Sequence, residues 1–482
     1  MIKANALEGS WAAAIACRVG LGVVGISAIA VLVALGGCAT SGPAPKDRSQ
    51  SDPAGRSQNQ ANPDPPPSSD GDVTVASIQG MQVLIKRIPG GELVSGQLNI
   101  LGGVRNWGKA DAGVEQLALA VSASGGTETS DKDAFTHRLA TLGSIIGAGA
   151  GNDYSSFRAK SLRESWDATF ELMVDAFLHP VLPPSEIELQ RQQQLSALRH
   201  EQEDPDGQLS LIAYEKLFRG HPYENRSIGT LQTVANLTRE QLGSHLGKLR
   251  QTSRLVLVVV GDVEPDHILS RARDLLGKLP RGDYQQTPMP PIRFDSPSVT
   301  TVQKPLPTNY ILSSFPAPGW TDADFAVGMV AMTVLGWREW IEVRTKRNLS
   351  YAPHAGMSTT AELARGTLYV TAVDPTTTMQ VMLGEVRHLK QEPVPKPELE
   401  GDVSTFITGF MTSNETTDGQ AASLSRAQIL GRDWRLIRLL PAKLRAVTSE
   451  QIEAFARKYI VNLQTVVLGD PGKIDPALFS AL

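Results

Sequence analysis

One five-residue phrase occurs twice in this chain, 210 residues apart, and a chain written twice is constrained to fold as two similar bodies. Thr238-Arg239-Glu240-Gln241-Leu242 recurs as Thr448-Ser449-Glu450-Gln451-Ile452. In each copy a threonine precedes a glutamine by three residues, the pattern by which two side chains close the first turn of a helix reciprocally. Each copy then runs into a β-branched stretch ending in Gly-Asp, at Gly261-Asp262 and Gly469-Asp470. The shared helix-to-strand context implies an internal duplication whose period is far too long for a solenoid. At 482 residues the chain has room for two cores.

Within the first copy, Met81 to Ile88 and Leu93 to Ile100 alternate apolar and polar residues around Pro89-Gly90-Gly91, which predicts a hairpin. Helical periodicity covers 114–121, 131–142, 163–177 and 184–203, with a strand over 153–160. Leu255-Val256-Leu257-Val258-Val259-Val260 is apolar throughout and predicts a strand buried on both faces. Neither half alternates strand and helix regularly, so the expectation is α+β: two homologous domains, each an antiparallel sheet covered by helices, closing as a clamshell. The boundaries predicted are 73–283 for the first domain, 284–307 for a proline-rich linker and 308–482 for the second domain.

The first seventy residues are read separately. Arg18 precedes an apolar run from Leu21 to Leu35, and Leu35-Gly36-Gly37-Cys38 closes it. A short apolar core ending in small residues is a secretory signal, too short for a comfortable membrane span. Residues 1–38 are thus expected to be a signal peptide that resembles a bacterial lipobox, with Cys38 carrying lipid after cleavage. Cys17 is the other cysteine, so the mature fold has no thiol for a disulfide or a cysteine–zinc site. Residues 39–72, rich in proline and serine, lack large apolar side chains and are expected to be a disordered tether. Ala39 after Cys38 resembles sorting signals for the outer membrane, facing the periplasm.

The chain is 41% hydrophobic and 20% charged with a formal net charge of -4, which leaves no basic footprint for nucleic acid. Other chemistries also lack support. No H-E-x-x-H and no G-x-S-x-G occurs. Gly147-Ala148-Gly149-Ala150-Gly151 lacks the lysine of a phosphate loop and predicts a helix-to-strand turn. In His200-Glu201-Gln202-Glu203-Asp204 the following Pro205 ends the helix, which predicts a solvated acidic end rather than a metal pair, and His221 is expected to be structural.

Several motifs together resemble the insulinase/pitrilysin (inverzincin) peptidases. These are Gly113 to Ala120 followed by Ser124-Gly125-Gly126-Thr127; Phe218-Arg219-Gly220-His221-Pro222-Tyr223; Ser227-Ile228-Gly229-Thr230; and Val259-Val260-Gly261-Asp262-Val263. The most specific is Val343-Arg344-Thr345-Lys346-Arg347-Asn348-Leu349-Ser350-Tyr351, an arginine followed seven residues later by tyrosine. The family carries H-x-x-E-H on the first of these segments, and laying that motif here places Gln116, Leu119 and Ala120 at its three positions. Hydrocarbon has no lone pair for zinc, and an amide is a poor ligand beside imidazole or carboxylate. The family's remaining glutamate ligand falls on Ser196 or Ala197. The resemblance thus implies a chain that binds no metal of its own.

By the same resemblance, Arg344 and Tyr351 are the pair that reaches toward the zinc from the second domain, the arginine fixing substrate register and the tyrosine stabilising an oxyanion. Lys346 and Arg347 read as solvated helix charges. Some bacterial relatives work as pairs, one chain with zinc and one with arginine and tyrosine, and this sequence resembles the second kind. The implied partners are a zinc-bearing insulinase-like subunit, an unfolded peptide substrate and, through Cys38, a membrane. The alternative is a catalytically silent peptide-binding or scaffold lipoprotein.

Overall fold

The apolar run Leu255–Gly261 is buried along its whole length in the middle of a seven-stranded sheet, and its two faces serve different halves of the molecule. The computed structural model describes residues 64–481. In the first half the order is β1 (Ser68–Asp70), β2 (Val73–Ile78), β3 (Met81–Arg87), β4 (Leu93–Leu101), α1 (Val114–Ser124), α2 (Lys132–Thr141), β5 (Ile145–Gly149), β6 (Tyr154–Leu162), α3 (Trp166–Leu178), α4 (Pro184–Glu203), α5 (Pro205–Leu217), α6 (Leu231–Asn236), α7 (Arg239–Leu249), β7 (Leu255–Gly261) and α8 (Pro265–Leu276). The second half runs β8 (Ser298–Gln303), β9 (Asn309–Pro316), α9 (Phe325–Glu339), β10 (His354–Met357), β11 (Arg365–Ala372), α10 (Pro375–Gln391), α11 (Lys396–Ser413), α12 (Thr417–Leu430), α13 (Leu436–Arg445), α14 (Ser449–Tyr459) and β12 (Gln464–Gly469).

The duplication is visible in the topology. The first sheet is ordered β1-β2-β3-β7-β4-β6-β5 and the second, read from its other edge, β8-β12-β9-β11-β10. Strand for strand, the last five of the first sheet match the five of the second. Thr238 and Gln241 form the expected capping box on α7, and Thr448 and Gln451 form it on α14. The α+β reading with two similar domains holds, and both sheets are mostly antiparallel with one parallel pair at β7 or β12.

The two halves close on each other by exchanging helices. Leu257 and Val259 of β7 join their own domain's core, whereas Val256, Val258 and Val260 pack against Ala421 and Leu424 of α12 and against Trp434. Reciprocally, Leu209 and Ala213 of α5 pack on Leu312, Val466 and Leu468 of the second sheet. A strand covered on both faces can be apolar throughout, which is why β7 lacks alternation. Polar ties fix the register of this exchange: Ser95 and Thr417 hydroxyls meet at 2.7 Å, and Asn99 Nδ2 donates to Ser425 Oγ at 3.0 Å.

Four expectations are corrected. The residues expected to form a hairpin, β3 and β4, do not pair; β7 lies between them, parallel to β3 and antiparallel to β4, because its apolar faces demand a central place. The linker predicted at 284–307 contains β8, which pairs in parallel with β12, so the second domain begins ten residues before 308. The tether predicted at 39–72 ends in β1, which pairs with β2 and is held by Arg435 and Arg438 against Asp70. The stretch 147–151, expected to be a turn, begins inside edge strand β5, paired with β6. Cys38, the predicted signal peptide and most of the tether lie outside the described residues.

Candidate functional site

α1 begins behind Gly113, whose φ of 93° suits glycine, and it carries the three positions matched to H-x-x-E-H. Leu119 is 0% exposed and belongs to the first core. Gln116 and Ala120 are half-buried. The Gln116 amide oxygen is already engaged: it accepts the backbone N–H of Ala150 at 2.9 Å, fastening α1 to the end of β5. On α4, Ser196 is exposed and Ala197 half-buried. The donor set needed to hold zinc is thus replaced by a methyl, an isobutyl group, a committed amide and a hydroxyl or second methyl. These residues do not fit the metal. Among the described residues no group of three histidine, cysteine, aspartate or glutamate side chains is placed to hold an ion.

What α1 does carry is a buried carboxylate one residue before Gln116. Glu115 is fully buried and accepts from Asn106 Nδ2 at 3.0 Å, sits 2.7 Å from His245 Nε2 on α7, and takes the Ser155 hydroxyl from β6. This cluster ties α1 to α7 and β6. Around the second acidic motif, His200 stays exposed, Glu201 takes Arg226, and Asp204 caps α5 by accepting the Gly207 N–H at 2.8 Å. His221 Nε2 lies 3.0 Å from the Pro290 carbonyl, a structural contact as expected.

Arg344 and Tyr351 are brought together. After α9 the chain widens into a π-helical turn, Trp340–Thr345, and the Lys346 N–H reaches back five residues to the Ile341 carbonyl. Asn348, in the left-handed region at φ 52°, ends it and reverses the chain. The reversal returns Tyr351 to Arg344: the guanidinium carbon is 4.0 Å from the Tyr351 ring centre and 3.9 Å from that of Trp340. An arginine between two aromatic faces is held by cation–π attraction without spending its hydrogen-bond donors. Lys346 and Arg347 both pair with Glu342, and among the described residues the Arg344 guanidinium has no hydrogen-bond or carboxylate partner. Tyr351 is 66% exposed.

The π-helical turn and the reversal after it place Arg344 against both rings. Among the described residues none of its hydrogen bonds, ion pairs or ring contacts reaches α1 or α4. Trp340 was missed in the sequence; its spacing of four residues before Arg344 is the signal that could have found it.

Residues 82–231 match the family described as insulinase (peptidase family M16), and residues 236–404 match the description peptidase M16 inactive domain. The chain belongs to the insulinase family. It is 22% identical over 328 residues to an uncharacterised zinc protease of Mycobacterium leprae, a match covering 66% of this chain and 74% of that protein. It is 23% identical over 218 residues to mouse cytochrome b-c1 complex subunit 1, covering 44% of each. The chain thus spans less than half of that second relative. A crystal structure of a peptidase M16 inactive domain from Pseudomonas fluorescens superposes with a TM-score of 0.76 at 19% identity, over 84% of this chain and 99% of that one. At that identity the likeness establishes the fold.

This insulinase-family chain is therefore a metallopeptidase homologue with the two-domain M16 scaffold. The junction of its halves holds a second constellation absent from the sequence reading. Asp153 is buried and accepts from Arg105 at 2.7 Å, from the Tyr223 hydroxyl at 2.7 Å and from the Glu362 N–H at 3.1 Å. Arg105 also pairs with the Glu362 carboxylate, so one guanidinium binds a carboxylate from each domain. These partners are 48 to 257 residues apart in sequence, and no local pattern announces them.

Proposed function

We propose that this chain is the non-zinc subunit of a two-chain insulinase-like peptidase. A zinc-bearing partner supplies the metal chemistry. This chain supplies Arg344, whose open donors hold a substrate carbonyl or carboxylate, and Tyr351, whose exposed hydroxyl donates to the oxyanion. The substrate is an unfolded peptide, bound as an added strand through its backbone. The observation that carries the reading is an asymmetry: the metal positions on α1 hold a buried leucine, a committed amide and a methyl, while Arg344 is clamped between two rings beside an exposed tyrosine, with no hydrogen-bond partner for its guanidinium among the described residues.

The test is reconstitution. The purified chain is mixed with a similar chain that has H-x-x-E-H, sought first in the neighbouring reading frame. Peptide cleavage is expected only from the mixture, with Tyr351→Phe lowering turnover by about 10²-fold, as loss of one oxyanion donor does. Unchanged turnover in that variant sinks the oxyanion role. A peptide-holding scaffold is the remaining reading, favoured if no zinc-bearing companion exists.

We further propose that lipid on Cys38 holds the protein at the bacterial outer membrane, facing the periplasm. Among the described residues no helix is long and apolar enough to cross a membrane. Cys38→Ala should move the protein from the membrane to the soluble fraction.

A further inference from the structure

A cleft of about 600 Å³ opens where the two domains meet, a size typical of sites for small organic ligands. Three arginines line it: Arg293 from the connecting segment, Arg365 from the first position of β11, and Arg432 from the loop after α12. None of the three side chains has a carboxylate or carbonyl partner among the described residues. Arg365 is the most constrained. Its Nη1 is buried without a hydrogen-bond partner, and burial pulls the guanidinium below the ordinary arginine value. A buried cationic donor left unpaired costs free energy that an incoming anion would recover.

Two carboxylates also line the cleft, and they do not cancel all of this charge. Glu362 is committed to Arg105, and Asp322, which accepts the Asp324 N–H at 2.8 Å at the start of α9, keeps its charge and offsets one of the three arginines. The remaining walls are largely apolar, and Ile292 and Leu363, both only partly buried, are among them. Cationic forks above an apolar wall select a ligand that has an anionic oxygen pair at one end and hydrocarbon at the other.

We propose that this interdomain cleft binds an organic carboxylate with an apolar body, the charge on Arg365 and Arg432 and the body against Ile292 and Leu363. The site is separate from the Arg344–Tyr351 pair and does not depend on its role. A peptide C-terminus and a fatty acid share this chemistry, and the test distinguishes them.

Calorimetric titration of the full chain would use N-acetyl-Leu-Phe as the free acid and as its amide, and octanoate and octanamide as the second pair. Saturable binding of an acid below 1 mM, with its amide at least tenfold weaker, supports the site, and the acid that binds identifies the source. Arg432→Gln, at an exposed position, should weaken that acid about tenfold without changing the melting temperature. Arg365→Gln should weaken it further. Equal binding of acid and amide, no binding of either acid, or binding indifferent to both substitutions overturns the proposal.

Discussion

The Asp153 carboxylate in the first domain accepts the backbone N–H of Glu362 in the second at 3.1 Å, and Arg105 pairs with both carboxylates. A fully enclosed charge pair is weak evidence of net stabilisation, yet removing one partner strands the other in low dielectric. Arg105→Met should therefore cost about 3–5 kcal/mol, since it leaves two acidic groups facing each other at the junction. Denaturant unfolding measures this. A loss under 1 kcal/mol would mean that water reaches Asp153.

Trp340 and Tyr351 flank Arg344 as two plates flank a filling, and their contributions can be separated. Tyr351→Phe keeps the ring and should leave the melting temperature unchanged while weakening peptide cleavage by the reconstituted pair. Trp340→Leu removes one face and should cost about 0.5–1 kcal/mol of stability, the worth of an exposed cation–π contact. In the same assay it should raise KM more than it lowers kcat, because it loosens an arginine that holds substrate. An unchanged KM would make Trp340 a packing residue only.

Glu339, the last residue of α9, is buried, and neither carboxylate oxygen has a hydrogen-bond partner among the described residues. Burial, aided by the nearby Glu385 charge, holds its carboxyl well above the usual range, so the folded protein keeps a proton that the unfolded chain releases. The sign follows: its contribution is fully present below the unfolded value of about 4.3 and is lost as pH rises toward the folded value, at up to about 1.4 kcal/mol per pH unit. Nearby, burial beside Glu398 pushes Asp402 up to about 6, and its titration adds to the same trend. Glu339→Gln removes the ionisable group and should melt higher than wild type at pH 8, with the gap narrowing toward pH 5. A gap constant with pH would show that Glu339 is charged in the fold.

Much of this was legible because it was local. Thr238 and Gln241 are three residues apart, and so are Thr448 and Gln451, so a capping box can be read directly from either copy. Arg344 and Tyr351 also sit within one short turn. What escaped was set by distant segments. β3 and β4 look like a hairpin from their own residues, but only β7, more than 150 residues on, decides that they do not pair. The Arg105–Asp153–Glu362 network and the three arginines of the interdomain cleft likewise exist only once helices and loops are exchanged between halves. Trp340 is the exception, a local signal that a helical spacing rule could have caught.

Leu119 decides how far the zinc site can be rebuilt. A histidine in place of Gln116 gives up the Ala150 N–H contact, worth about 1 kcal/mol, and one in place of Ala120 enlarges a half-buried position. Leu119→Glu is the costly step. It places a carboxylate in the core among side chains that supply no donor, which should cost several kcal/mol unless the group takes up a proton. A protonated acid cannot serve as general base. The variant Gln116→His, Leu119→Glu, Ala120→His, Ala197→Glu should therefore melt lower than wild type and hold less than one equivalent of zinc after dialysis. Metal analysis and thermal unfolding of that one protein check both statements. A full equivalent of zinc with an unchanged melting point would show that the α1 face opens more readily than its packing implies.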